Sequence, residues 1–239
     1  MLTINVTLPT LHPGQREVAS HPARFKVLAA GRRWGKTRLG TLLCLDAALN
    51  GGRAWWVAPS YSMATVGWRG IKHLAKQIPG AATREADRLI TLPSGGQIQV
   101  RSADNPDSLR GEGLDFLIID EAAFVREEAW TEALRPTLSD RQGRAMFIST
   151  PKGRNWFWRA YQRGMSGDPE WYSWKLPTAS NPFIDPAEIE AARGMLPADT
   201  FRQEYLAEFI EDAGLVFRKV RQATWTPQTE PEPGRRYVM

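Results

Sequence analysis

Apolar positions along this chain come in short blocks that alternate between two periods. "RFKVLAAG" (24–31) is a nearly continuous apolar run, the pattern of a strand buried on both faces. The next block, 36–49, carries Leu39, Leu42, Leu43 and Leu49 near helical spacing, and "NGG" stops it. "RAWWVAPS" predicts a second strand, and 61–78 a second helix. "DRLITLPSGGQIQVRSA" reads as two strands around a Gly-Gly turn, a hairpin. "LDFLIIDEA" is a third buried strand, 127–138 is helical, and "AMFIST" is another strand. This alternation predicts an α/β fold: a mostly parallel sheet flanked by helices.

After Pro151 the pattern changes. Trp156, Phe157, Trp158, Tyr161, Trp171, Tyr172 and Trp174 crowd together, and two helical segments follow at 186–195 and 199–210. The expected organisation is a core at 1–177, a small helical subdomain at 178–212, and a segment at 213–239. That last segment contains the proline-glutamate linker "TPQTEPEPG" and then "RRYVM", which begins like a strand and points to a missing domain.

Bulk numbers narrow the classes. The chain has 239 residues, enough for one large domain or one domain with an appendage. It has no apolar run long enough to cross a membrane and no secretory leader after Met1. One cysteine, Cys44, excludes a disulfide framework. With three scattered histidines (His12, His21, His73), it also excludes a structural zinc site. A reducing, cytosolic setting is the expectation. The net charge of +5 suits a polyanionic partner, and equally suits a mildly basic globular protein. Ten tryptophans predict mostly core packing, with a minority at a ligand or nucleic acid.

The candidate chemistry begins at "AGRRWGKT". It fits the phosphate-loop template with Ala30 in place of the first glycine, then Gly35, Lys36 and Thr37. Backbone N–H groups of such a loop form an anion nest at a helix N-terminus. Gly35 lets the backbone approach the phosphates, Lys36 reaches the β- and γ-phosphates, and the Thr37 hydroxyl coordinates Mg²⁺. "FLIIDE" supplies the second half. Asp120, at the end of an apolar strand, can hold Mg²⁺ through water, and Glu121 can act as general base on an attacking water. The paired acids favour hydrolysis over binding alone. "FISTPKG" ends a strand expected beside that of Asp120, with Ser149 and Thr150 placed to sense the γ-phosphate. A cation on that phosphate is expected from Arg32 or Arg33 within the loop, or from Arg110 on the glycine-flanked "SLRGEG" loop of a neighbour. Surface charge or a salt bridge is the alternative for each. Gln15 in "LHPGQREV" is either an adenine contact or a glutamine on a helix surface.

Together these residues resemble the large subunit of the viral DNA-packaging terminase of tailed bacteriophages, and specifically its ATPase domain. "GRRWGKT" looks like that family's phosphate loop, which carries arginine and an aromatic. "LIIDEAAF" is similar to its acidic motif and "FISTPKG" to its coupling motif. "VAPSYSMATVGW" resembles the segment after its second strand, and "TASNPFIDPAEIE" with "FRQEYLAEF" its lid subdomain. The resemblance implies a P-loop NTPase fold of the RecA/ASCE type and an ATP- and Mg²⁺-dependent motor. Gly31, Arg32, Arg33, Trp34, Gly35, Lys36 and Thr37 then hold nucleotide, with Gln15 on adenine and Thr37 and Asp120 on the metal. Glu121 becomes the base, Ser149 and Thr150 the coupling pair, and Arg33 a candidate cis cation. Arg110 best matches the trans-acting arginine, with Arg101 as runner-up. The resemblance also implies double-stranded DNA read without regard to sequence, a portal protein, a small terminase subunit, a ring that is a pentamer, and the host cell cytoplasm. A C-terminal RNase-H-like nuclease domain belongs to such subunits. With "RRYVM" as only its first strand, no cutting activity is expected of this chain.

Three rival classes fit the same residues less well. A nuclease would need a carboxylate cluster beyond the Asp-Glu pair, and none stands in the first 210 residues. A superfamily-2 helicase-like translocase shares the phosphate loop and acidic pair but places its site between two sheet domains of one chain. A nucleotide switch has no need of Glu121.

Overall fold

Eight strands account for the alternation seen in the sequence. In the computed structural model, which describes residues 8–210, they are β1 (Phe25–Ala30), β2 (Arg53–Ala58), β3 (Ala82–Arg84), β4 (Leu89–Thr91), β5 (Gln97–Ser102), β6 (Phe116–Asp120), β7 (Arg144–Ser149) and β8 (Trp171–Leu176). They form one sheet in the order β3-β4-β5-β2-β6-β7-β1-β8. The pairs from β5 through β8 are parallel, and β3-β4-β5 is an antiparallel edge. The linker and domain start expected at 213–239, and the last two residues of the 178–212 segment, lie outside the described residues.

Helices α1 (Pro13–Ser20), α2 (Lys36–Leu49), α3 (Tyr61–Ala75), α4 (Arg135–Thr137), α5 (Trp156–Met165), α6 (Pro186–Met195) and α7 (Ala198–Glu204) complete the regular structure. One apolar cluster joins α2 and α3 to the sheet through Trp56, Ile98 and Ile118. A second, around Phe147, Trp130, Trp156 and Trp171, covers the opposite face. Burial on both faces explains why β1 and β6 read as continuous apolar runs. Gly40 and Gly67 let α2 and α3 pass over Trp56. A Cβ at Gly67 would sit 2.3 Å from the indole, so any larger residue there pushes the helix off the sheet.

Three expectations change. The 199–210 helix ends early, at Glu204, where Tyr205 stacks on Phe201 and Ala207 takes a left-handed φ of 55°. The 127–138 helix is a wide-turned segment, Ala129–Leu134, running into the short α4. Pro136 lacks an N–H and crowds the preceding turn, and the Arg135 N–H reaches back five residues to the Trp130 carbonyl. The aromatic crowd resolves into α5 and the edge strand β8. There Trp171 stacks on Phe25 and Phe147, with ring centroids 4.8 and 5.6 Å apart.

Candidate active site

Strand order decides what meets at the carboxyl edge of the sheet. β7 lies between β1 and β6, with Ala29 opposite Ser149 and Asp120 opposite Ile148. The phosphate loop after β1, Ser149 and Thr150 at the end of β7, and the acidic pair at the end of β6 therefore leave neighbouring strands on one edge. They open into a cleft of about 730 Å³ lined by Arg32, Arg33, Lys36, Thr37, Glu121 and Thr150, with Glu204 from α7. That volume suits a nucleotide. Met63 and Val66 of α3 and Phe124 make its apolar rim.

The loop is held in shape by side chains. Lys36 Nζ donates to the carbonyls of Ala30 (2.8 Å) and Gly31 (3.1 Å). Burial pushes the Lys36 ammonium down from its usual range, and Glu121 and Asp120 pull it partly back. Thr178 Oγ1 donates to the Arg32 carbonyl and Asn181 Nδ2 to the Arg33 carbonyl, both at 2.8 Å. His12 Nε2 lies 3.0 Å from the Trp34 carbonyl, and its Nδ1 accepts the Gln15 N–H, so the proton sits on Nε2. Gln15 Nε2 donates to the Gly35 carbonyl at 3.0 Å, while its Oε1 accepts the His12 N–H. Arg33 and Gly35 take left-handed φ values of 60° and 102°, so the loop turns sharply into α2. Ala30, in place of the template's first glycine, ends β1 with no positive φ, so its methyl causes no strain.

On the acidic side, Asp120 is 7% exposed and accepts one backbone N–H, from Glu121 at 3.1 Å. Burial, with Glu121 beside it, pushes the Asp120 carboxyl up to about 7 against the pull of Lys36 and that N–H. Such a buried acid calls for a cation. Asp120 and the half-buried Thr37 hydroxyl, completed by phosphate oxygens and water, make the all-oxygen set Mg²⁺ takes. No group of three or more His, Cys, Asp or Glu among the described residues could hold a metal alone, so an ion here relies on substrate oxygens. Glu121 itself has φ 46°, left-handed for a residue with a Cβ, a strain that concentrates at functional sites. The Ser149 hydroxyl lies 3.1 Å from Glu121 Oε2 and 2.7 Å from the Thr150 carbonyl, and its one proton serves either.

The remaining candidates fall elsewhere. Gln15 is 2% exposed, so it is not a surface residue, and both ends of its amide are engaged as described. The Trp34 indole is fully buried and donates to Ser180 Oγ, which leaves only the Trp34 backbone to face a ligand. Arg32 pairs with Glu204 at 2.5 Å, while Arg33 is exposed. Arg110 lines a different hollow and pairs with Asp107 and Glu132. Arg101 pairs with Glu112 over the Trp55 ring. Sequence reasoning missed His12, Thr178, Asn181 and Glu204. "HPGQ", a helix-capping signature with proline at the first position, was the signal available for His12.

Comparison with known proteins bears on this assembly of residues. Residues 27–221 match the family described as terminase large subunit, T4likevirus-type, N-terminal. The terminase large subunit of Escherichia phage T5 is 38% identical over 203 residues, covering 81% of this chain and 46% of that protein. The terminase large subunit of Thermus virus P23-45 is 31% identical, covering 86% of this chain and 50% of that one. The large terminase ATPase domain of Thermus phage P74-26 superposes with a TM-score of 0.72 at 30% identity, covering 84% of this chain and 94% of that structure. The chain spans about half the length of the curated relatives it matches. From the matched residues, which take in the phosphate loop, the acidic pair and Ser149–Thr150, the chain belongs to the N-terminal family of the T4-like-virus-type terminase large subunit.

Proposed function

We propose that this domain hydrolyses ATP with Mg²⁺ and drives double-stranded viral DNA into a procapsid. The observation that carries the reading is the convergence of Lys36, Thr37, Glu121 and Thr150 on one cleft at the ends of three adjacent strands, with the buried Asp120 ending β6 directly before Glu121. Lys36 leaves the Ala30 and Gly31 carbonyls for the β- and γ-phosphates. Backbone N–H groups at the start of α2 take phosphate oxygens. Thr37 and Asp120 hold Mg²⁺, which supplies neutralising charge on the phosphates. Glu121 orients a water on the γ-phosphorus and accepts its proton as the bond to the bridging oxygen breaks. Ser149, in contact with Glu121, exchanges that contact for one to the γ-phosphate when nucleotide is bound and regains it as the phosphate departs. Thr150 faces the same space and completes the coupling pair.

The cation on the γ-phosphate comes either in cis from Arg33, which lines the cleft, or in trans from Arg110 of a neighbouring copy, which lies on a different surface. A ring of copies, a pentamer, seated on the portal and served by a small terminase subunit, is the assembly this implies. DNA enters as a backbone and not as a sequence. The net charge of +5 suits that; within 47–84 stand Arg53, Arg69, Lys72, Lys76 and Arg84 with no Asp or Glu, Lys72 and Arg84 pairing with Glu85 and Asp87 just beyond. Binding to duplex DNA should be indifferent to sequence and weaken steeply with salt.

The test is ATP turnover per subunit against protein concentration, for wild type and Arg110→Ala. A rate that climbs with concentration and is lost in the variant supports a shared site. A flat rate in both assigns the cation to Arg33 or Arg32. No Mg²⁺-dependent turnover at any concentration, with or without DNA, overturns the proposal.

A further inference from the structure

We infer that Thr178 and Asn181, on the turn after β8, are positioning residues for the triphosphate. This deepens the nucleotide reading above and rests on it. Every carbonyl from Ala30 through Gly35 has a side-chain donor: Lys36 for the first two, then Thr178, Asn181, His12 and Gln15 in order. A trans peptide sets its N–H opposite to its C=O. Holding the Arg32 carbonyl on the protein therefore turns the Arg33 N–H away from it, and holding the Trp34 and Gly35 carbonyls does the same for Gly35 and Lys36. No described protein group accepts those three N–H groups, which are left to an anion. The Arg33 carbonyl is a special case, because the residue is left-handed and needs an external partner to stay so.

Thr178 and Asn181 are built for this. They are 1% and 8% exposed. The Thr178 N–H goes to the Tyr205 carbonyl, so its hydroxyl alone reaches the loop. Asn181 Oδ1 accepts the Phe183 N–H at 3.0 Å, which fixes the amide with its NH₂ toward Arg33. The adjacent Ser180 takes the Trp34 indole N–H. Three successive loop residues are thus tied to one turn, and the loop cannot shift without it. Because these contacts are to backbone carbonyls, they serve the phosphates and not the base.

The experiment compares wild type, Thr178→Val, Thr178→Ser and Asn181→Ala for binding of ATPγS and of inorganic tripolyphosphate, with KM, kcat and melting temperature alongside. Valine keeps the shape of threonine without the donor. The expected result for Thr178→Val is about tenfold weaker binding of both ligands, seen more in KM than in kcat, with recovery in Thr178→Ser. Wild-type affinity in Thr178→Val overturns the inference. So does a loss for ATPγS that tripolyphosphate does not share, since Thr178 would then serve the base or sugar. If Thr178→Val fails to fold, Asn181→Ala decides by the same two ligands. Failure of the wild type to bind ATPγS removes the nucleotide reading itself.

Discussion

The two walls of the cleft are built in different ways. On the acidic wall, Asp120, Glu121, Ser149 and Thr150 sit at the ends of adjacent strands, and sheet register places them. On the loop wall, residues 31–35 have no ladder of their own and are held by the side chains of His12, which caps α1, of Gln15 within it and of the turn after β8. A register cannot slip by a residue without burying the wrong face, so the acidic wall is fixed by the whole core. The loop wall depends on a few hydrogen bonds, each of modest net worth. The difference predicts that acidic-wall variants change chemistry in a folded protein, whereas loop-wall variants change binding and local stability.

The sharpest break in that comparison is Glu121→Gln. The backbone strain and the Ser149 contact survive in an isostere, but the proton acceptor is gone. Turnover should fall by roughly 10²–10⁴-fold while nucleotide affinity stays near wild type. Phosphate release and equilibrium binding measure the two separately, and a parallel loss of both would place Glu121 in binding.

Gly31→Ala probes the loop wall. The added methyl would lie 2.4 Å from Thr178 Oγ1 and 2.6 Å from the Tyr205 carbonyl, and backbone cannot yield as a flexible side chain does. A loss of roughly 1–3 kcal/mol in denaturant unfolding is expected. An unchanged midpoint would mean that the turn after β8 does not clamp the loop.

A smaller effect concerns Lys26, whose Nζ donates to the last carbonyls of α1, Val18 and Ala19, and so anchors the helix that carries His12 and Gln15. Burial, reinforced by Arg144, lowers its pKa to about 8 from 10.5. Between those two values the unfolded chain binds more protons than the folded one, so this group's contribution to stability rises with pH there and is flat below. The gap between wild type and Lys26→Met should shift in favour of wild type from pH 8 upward, by at most about 1.4 kcal/mol per pH unit. A pH-independent gap would show that Lys26 keeps an ordinary pKa.

The same contrast explains what the sequence disclosed. A strand ending in Asp120–Glu121 is legible because composition and position coincide: an apolar run, then two acids. The partners of the loop are not. Thr178 and Asn181 lie 146 and 148 residues from the carbonyls they hold, and nothing local in "TASN" states that distance. Strand β8 was hidden for another reason. Its aromatics form a crowded run with no clear period, so the strand was not legible. The expectation that most tryptophans pack in the core holds for Trp171 and Trp174, which are buried against β1 and α1, where Trp174 donates to Glu17. Pro136 was visible, and its effect on the 127–138 helix follows from its missing N–H, but the widened turn needed the packed Trp130 to persist.

The most direct measurement is ATP binding and phosphate release by purified, folded Lys36→Ala beside the wild type. Removing the ammonium takes away the cation aimed at the β- and γ-phosphates and frees the Ala30 and Gly31 carbonyls. The account predicts that both binding and turnover collapse while the protein stays folded. A folded Lys36→Ala protein that consumes ATP at the wild-type rate would contradict it.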